Sequence, residues 1–246
     1  MDRDTMTFTT IGFDADDTLW HNEMLYSMTQ ARFREILSDH YDPDWVDRKL
    51  FETEMANLHR FGYGIKSFAL SMIETAIELT EGRITGAQVQ QIIDAAKEMQ
   101  ASPVEPLPGV PETLAQLSRR YRLILITKGD LFDQEGKLAR SGLAQYFDAV
   151  EVLTEKDEAA YRRVLETHNV DPHDFLMVGN SVRSDILPVL DLGATAVHIP
   201  YKITWDHEQV DEEDVDHTFV QLTTMGELIP YLERATQQEG ARPIAR

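Results

Sequence analysis

The sequence predicts an α/β fold, with a doubly wound, mainly parallel sheet and an all-helical segment inserted after the first strand. Short apolar runs rich in β-branched residues alternate with segments of helical length, which is typical of parallel sheets covered on both faces. A long stretch near the N-terminus instead shows helical periodicity and no strand-like run. Four clustered prolines then mark the return to the alternating pattern: Pro103, Pro106, Pro108 and Pro111.

Five strands are predicted from the apolar runs. The segment Leu123-Ile124-Leu125-Ile126 is apolar throughout, as expected of a strand buried on both faces. Gly142 and Gly193 stand where helix C-caps are expected. The predicted strands cover residues 7–13, 122–127, 149–153, 175–178 and 194–199. The helices between the last four strands cover residues 131–142, 157–168 and 182–192.

The predicted helical insert covers residues 21–101. Apolar residues recur in it at helical spacing, and Thr85 is the predicted N-cap of its last helix. We therefore predict two domains. Residues 1–20 and 102–246 form a Rossmann-like core, and residues 21–101 form a helical subdomain that acts as a lid. A purely structural helical domain is the alternative.

Charge and composition exclude several classes of function. The chain has 23 Lys and Arg against 43 Asp and Glu, a formal net charge of −20, so a nucleic acid partner is not expected. It has no cysteine, which excludes disulfides, thiolate zinc sites and a cysteine nucleophile. No run has the length of a membrane span or a signal peptide, so we expect a cytoplasmic protein without a membrane partner. The sequence leaves the oligomeric state open.

Three acidic residues, Asp14, Asp16 and Asp17, directly follow the first predicted strand. Open α/β sheets bind ligands at the carboxyl ends of their strands, and buried carboxylates there need a partner. Residues i and i+2 of an extended chain point to one side, so Asp14 and Asp16 can face one substrate. One of the two is then a candidate nucleophile and the other a candidate acid and base. Asp17 is explained equally well as a helix cap.

Polar side chains also follow the other predicted strands. Thr127 ends the second strand, where its hydroxyl and nearby backbone N–H groups can hold phosphoryl oxygens. Lys156 opens a helix whose dipole opposes a cation, which is explained by an anion for it to hold; taken alone, a solvated lysine explains it equally well. After the fourth strand, Gly179 allows close approach, and Asn180 and Asp185 supply oxygen ligands of the kind that suits Mg²⁺.

This succession of groups resembles the haloacid dehalogenase-like superfamily of hydrolases over residues 13–200. The segment F-D-A-D-D-T-L at residues 13–19 resembles its first motif, Thr127 its second, Lys156 its third, and residues 179–185 its fourth. The resemblance implies a phosphatase in which Asp14 is the nucleophile that forms an aspartyl-phosphate intermediate and Asp16 is the acid and base. It also implies Mg²⁺ held by the Asp14 side chain, the Asp16 carbonyl and a fourth-motif side chain. Residues 21–101 would then be a cap that closes over a small phosphate ester.

Some positions depart from the family pattern or vary within it. Asn180 stands where aspartate is commoner, which predicts weaker Mg²⁺ binding and leaves open whether Asn180 or Asp185 is the direct ligand. Lys128 stands where asparagine is usual and adds a cation for phosphate. Two glycines, Gly62 and Gly64, interrupt the helical pattern of the insert on either side of Tyr63. Tyr63 and the nearby Lys66 are candidate substrate contacts, with an ordinary interhelical turn as the alternative.

Other functions are compatible with the same motifs. A dehalogenase attacks carbon with the same aspartate but does not need an acid two residues on, so Asp16 favours a phosphatase. A phosphomutase is not distinguished, and a non-catalytic phosphate-binding regulatory protein is favoured only by Asn180. The substrate stays open among sugar phosphates, phosphoglycolate, nucleoside monophosphates and flavin mononucleotide.

Overall fold

The computed structural model describes residues 8–37, 41–210 and 218–239, which form six strands and nine α-helices. The strands are β1 (Thr10–Phe13), β2 (Arg122–Lys128), β3 (Ala149–Leu153), β4 (Phe175–Gly179), β5 (Thr195–His198) and β6 (Val220–Gln221). The helices are α1 (Glu23–Leu37), α2 (Pro43–Phe61), α3 (Ile65–Leu79), α4 (Gly86–Ala101), α5 (Val110–Leu117), α6 (Leu131–Ser141), α7 (Glu158–His168), α8 (Leu187–Asp191) and α9 (Leu228–Glu239).

All five predicted strands are present, and β1 begins at Thr10; the predicted start at Thr7 lies outside the described residues. The helix predicted over residues 182–192 is divided. Val182–Ile186 forms a wider π-helical turn before α8 begins. Pro188 contributes to the change, because it has no N–H to donate to the carbonyl of Ser184. That carbonyl instead accepts a hydrogen bond from the hydroxyl of Tyr161 at 3.0 Å.

The six strands form one parallel sheet in the order β3-β2-β1-β4-β5-β6. The fold is α/β and Rossmann-like, as predicted. β1 lies between β2 and β4, so the strand order reverses beside it. In doubly wound sheets this switch point is where a crevice opens at the carboxyl ends of the strands. Asp14, the residue after β1, therefore leaves the sheet at the position where ligands bind in such folds.

Apolar side chains hold helices α7 and α8 to one face of this sheet. Ile124 and Ile126 of β2 alternate with their neighbours and lie on the same face as Phe175 and Met177 of β4. Each fully buried side chain of this kind stabilises the fold by about 1.5–3 kcal/mol. The same cluster includes four residues of the two helices: Tyr161, Val164, Leu165 and Val189.

The chain divides into two compact units, which are described separately. The sheet unit contains the residues up to His21, residues 105–127 and the residues from Ser141 onward. The helical unit contains Asn22–Val104 and also Lys128–Arg140, so most of α6 groups with α1 to α4. The domain bounds expected from sequence, with residues 21–101 as the insert, stay a prediction.

The helical unit has its own apolar core and well-formed helix ends. Residues from α1 to α4, among them Phe33, Leu50, Met72 and Ile92, pack in one buried cluster. Thr85 is the N-cap of α4, as predicted, and exchanges hydrogen bonds with Gln88 in a capping box. Among the described residues, none of the helices has the length and apolar character needed to cross a bilayer.

Gly12 tests the packing of the central strand. A Cβ atom at this position would lie 2.5 Å from the Phe175 ring and 3.0 Å from the Met177 sulfur. We expect Gly12→Ala to lower the free energy of unfolding by about 1–3 kcal/mol in a denaturant titration, because the extra carbon overfills the core. Gly86→Ala is the control, since no atom lies within 4 Å of its added carbon. Equal stability of the two variants would contradict this account of β1.

Candidate active site

The carboxyl ends of β1, β3 and β4 bring one lysine and two aspartates into direct contact. Lys156 Nζ lies 2.6 Å from Asp14 Oδ1 and 2.6 Å from Asp185 Oδ1. The three residues are buried, with exposed fractions of 7% for Asp14, 3% for Lys156 and 1% for Asp185. A buried charge without a partner strongly destabilises a fold, so each of these groups depends on the others.

Burial and pairing set the charges of this triad. Burial alone would lower the pKa of Lys156, but the carboxylates of Asp14 and Asp185 raise it above its usual value, so the ammonium stays charged. Burial raises the pKa of Asp14 from 3.8 to about 7, against the opposing charge of Lys156. When ionised, the carboxylates of Asp14, Asp16 and Asp185 outnumber the one ammonium of Lys156. The site therefore has an excess of negative charge that a further cation would balance.

Local structure places each member of the triad. Asp157 caps the N-terminus of α7 by accepting from the backbone N–H of Ala160 at 2.7 Å, which fixes Lys156 just before the helix. The backbone N–H of Ser181 donates to Asp185 Oδ2 at 3.0 Å. A Cβ atom on Gly179 would lie 2.3 Å from the Asp185 side chain, so only glycine permits this approach.

The loop after β1 is a tight turn that orients its own acids. Thr18 Oγ1 donates to Asp14 Oδ2 at 2.8 Å, and the indole Nε1 of Trp20 donates to Asp16 Oδ1 at 2.7 Å. Asp17 has a φ of 62°, a left-handed conformation that aspartate tolerates better than most residues. It is a turn residue and not a helix cap, because the next helix begins only at Glu23.

The side chain of Asn180 lies against the same loop. Its amide tip is 3.2 Å from Asp14 Oδ2, 3.2 Å from Thr18 Oγ1 and 3.3 Å from the backbone oxygen of Asp16. With its amide nitrogen toward the loop, Asn180 donates hydrogen bonds to these three oxygens. With its amide oxygen toward the loop, a carboxylate, a hydroxyl, a backbone and an amide oxygen lie close together. Within the described ranges, no three His, Asp or Glu side chains form a group that could hold a metal ion.

The remaining predicted site residues lie at the end of β2 and in the helical unit. Thr127 is buried, with 1% of its surface exposed. Lys128 Nζ lies 4.4 Å from the centre of the Tyr63 ring, a cation–π contact within the helical unit. Lys66 Nζ lies 3.0 Å from both carboxylate oxygens of Asp130. The structure thus brings Lys128 and Tyr63 together, and their role in substrate binding stays a prediction.

Sequence reasoning did not identify three residues that contact the candidate acids. Thr18 and Trp20 lie in or beside the first motif, four residues after Asp14 and Asp16, and that spacing was the available signal. Tyr161, whose hydroxyl is 3.4 Å from Asp185 Oδ1, left no such signal, because it occupies an apolar position of α7.

The raised pKa of Asp14 predicts a pH-dependent contribution to stability. Because native Asp14 binds its proton more tightly than the unfolded chain, its contribution is largest below about pH 4 and is lost as the pH rises through about 7. We expect the unfolding temperature of wild type to fall relative to that of Asp14→Asn between about pH 4 and pH 7, in metal-free buffer.

Asp94→Asn is the control for this measurement, since a hydrogen bond from Gln90 lowers the pKa of Asp94 below 3.8 and outside that window. A difference between wild type and Asp14→Asn that is constant or rises with pH would contradict the assignment.

Comparison with known proteins identifies the family. The family model of haloacid dehalogenase-like hydrolases matches residues 8–193. The solved structure of a haloacid dehalogenase-like family hydrolase from Xanthomonas campestris is 37% identical with a TM-score of 0.85, and the match covers 98% of this chain and 96% of that one.

Curated relatives match shorter stretches. Glyceraldehyde 3-phosphate phosphatase from Methanothermobacter thermautotrophicus is 31% identical over 124 residues, which are 48% of this chain and 55% of the relative. N-acylneuraminate-9-phosphatase from Rattus norvegicus is 32% identical over 92 residues, 35% of this chain and 37% of the relative. The matched stretch thus spans about half of the first relative's length and less of the second's. The resemblance seen in the motifs is confirmed, and the chain belongs to the haloacid dehalogenase-like hydrolases.

Proposed function

We propose that this protein is a Mg²⁺-dependent phosphatase that hydrolyses a small-molecule phosphate monoester through an aspartyl phosphate on Asp14. One observation carries the proposal: both oxygens of the buried Asp14 carboxylate are held, one by Lys156 at 2.6 Å and the other by Thr18 at 2.8 Å. A carboxylate fixed in this way is suited to nucleophilic attack, since little reorientation is needed.

Two further observations favour phosphate over a carbon-bound halide as the target. Asp16 lies two residues after Asp14, the proposed nucleophile. Hydrolysis of a phosphate ester requires an acid near the nucleophile, whereas dehalogenation requires none. The curated relatives named above are phosphatases of small phosphorylated compounds. A small phosphate ester is therefore the proposed partner, and a cytoplasmic location stays a prediction.

The reaction would proceed in two displacements. In the first, an Asp14 oxygen bonds to phosphorus, the ester P–O bond breaks, and Asp16 gives a proton to the departing oxygen. In the second, Asp16 takes a proton from water, whose oxygen bonds to phosphorus, and phosphate leaves with Asp14 restored. Lys156 keeps Asp14 in place throughout. Thr127 is the proposed contact of a phosphoryl oxygen, and Lys128, Tyr63 and Lys66 are proposed contacts of the substrate.

The groups around Asn180 fit a magnesium ion. We infer that the Asp14 side chain, the Asp16 backbone carbonyl and the Asn180 amide oxygen would hold it, since the amide tip of Asn180 lies within 3.3 Å of both oxygens and a turn of the amide would face its own oxygen to the ion. Held there, Mg²⁺ would supply positive charge against the negative charge of a phosphoryl group. Asp185 is better assigned to holding Lys156, because its oxygens accept from the Lys156 ammonium and the Ser181 N–H.

Hydrolysis of p-nitrophenyl phosphate tests the proposal. We expect release of p-nitrophenol by wild type that requires Mg²⁺ and falls at least about a thousandfold in Asp14→Asn, which keeps the shape but removes the nucleophile. Asp94→Asn, the same substitution on the exposed face of α4, should retain full activity. Release that is unchanged in Asp14→Asn, or absent from wild type at saturating Mg²⁺, would overturn the proposal.

The metal assignment predicts the effect of restoring the usual aspartate. Asn180→Asp places a second carboxylate beside Asp14, so we expect it to lower the apparent Kd for Mg²⁺ by about tenfold in a calorimetric titration. Without metal, like-charge repulsion should lower its unfolding temperature, so the rise caused by Mg²⁺ should exceed that of wild type. An unchanged or weaker affinity would show that residue 180 is not a ligand.

A further inference from the structure

We propose that Trp20 is a positioning residue that acts through Asp16. This inference rests on the proposed function, in which Asp16 is the acid and base. The indole Nε1 of Trp20 donates to Asp16 Oδ1 at 2.7 Å, at the short end of the range for N–H···O hydrogen bonds. The Trp20 side chain is fully buried, whereas Asp16 is only partly buried. A rigid, buried donor thus restrains an acid that has access to solvent.

The backbone around Trp20 is held on both sides. Its carbonyl oxygen accepts from the backbone N–H of Asp17 at 2.8 Å, which closes the loop on itself. Trp20 also forms isolated β-bridges with Asp16 and with Pro106, and the backbone N–H of Leu107 donates to the carbonyl of Leu19 at 2.8 Å. The indole consequently cannot follow Asp16 if that side chain rotates, and the hydrogen bond selects one position of the carboxylate.

A simpler explanation is that Asp16 only satisfies a buried N–H group, which an indole needs. The arrangement of the loop argues for more. Each of the two candidate catalytic carboxylates has a side-chain donor four residues further along, Thr18 for Asp14 and Trp20 for Asp16. One short turn therefore orients both the nucleophile and the acid.

The role has a kinetic signature that simple packing lacks. An acid helps a poor leaving group, such as an alkoxide, far more than it helps p-nitrophenolate, which leaves without a proton. A variant that has lost the Trp20 donor should keep the nucleophile but place the acid poorly. Its loss in kcat/KM should therefore grow as the leaving group becomes more basic, because kcat/KM reports the first displacement.

The test compares wild type and Trp20→Phe on p-nitrophenyl phosphate, phenyl phosphate and an alkyl phosphate at saturating Mg²⁺. We expect kcat/KM to fall about tenfold more for the alkyl ester than for p-nitrophenyl phosphate. Trp45→Phe is the matched control, because Trp45 is 40% exposed in the helical unit and should leave the pattern unchanged. An equal loss on all three esters, or no loss, would overturn the proposal.

A double-mutant comparison isolates the pathway through Asp16. In an Asp16→Asn background, Trp20→Phe should no longer change the ratio between esters; a further change of the same size would show that Trp20 acts independently of Asp16. If Trp20→Phe does not fold, benzothienylalanine at position 20 keeps the ring shape and removes only the N–H, with the same expected and contradicting results.

The outcome also separates this inference from the proposed function. If wild type hydrolyses none of the esters, or if Asp14→Asn keeps its activity, the phosphatase assignment fails and the Trp20 proposal fails with it. If activity requires Asp14 but Trp20→Phe loses the same factor on every ester, only the Trp20 proposal fails.

Discussion

The ion pair between Lys156 and two aspartates is the interaction on which the candidate site depends. Lys156 touches Asp14 and Asp185 at 2.6 Å each, at the edge where three parallel strands end. Because all three residues are buried, removing one partner leaves the others with uncompensated charge. The groups that surround the triad follow from this constraint: a helix cap at Asp157 sets the lysine, and Gly179 makes room for Asp185. In the proposed mechanism, the lysine serves fold and chemistry together by holding the nucleophile.

Much of the fold was predictable because buried parallel strands have a clear pattern. The run from Leu123 to Ile126 is buried throughout in β2, and β1 and β4 are fully buried as well. β6 was not predicted, since a strand of two residues has too few positions to show a pattern. The π-helical turn before α8 combines the missing N–H of Pro188, which the sequence shows, with a tertiary contact between Tyr161 and the carbonyl of Ser184, which it does not show.

The candidate site was predictable where it follows from strand ends and unpredictable where it follows from packing. Asp14, Lys156 and Asp185 were all identified from their positions after strands, and the structure places them in contact. Their arrangement was not predictable, because the choice of Asp185 as partner of Lys156 is made by α7 and the π-helical turn. Asn180 is the clearest case. The presence of asparagine where aspartate is commoner predicted weaker metal binding. Only the fold shows that the Asn180 amide faces Asp14 and the Asp16 carbonyl.

Direct detection of the covalent intermediate tests the central claim, that Asp14 is the nucleophile. Rapid acid quenching during turnover, followed by borohydride reduction, converts an aspartyl phosphate to homoserine, which peptide mass spectrometry can locate. The account predicts homoserine at position 14 only when substrate and Mg²⁺ are both present. Homoserine at another aspartate, or turnover without any reduced residue under conditions that trap a known aspartyl phosphate, would contradict it.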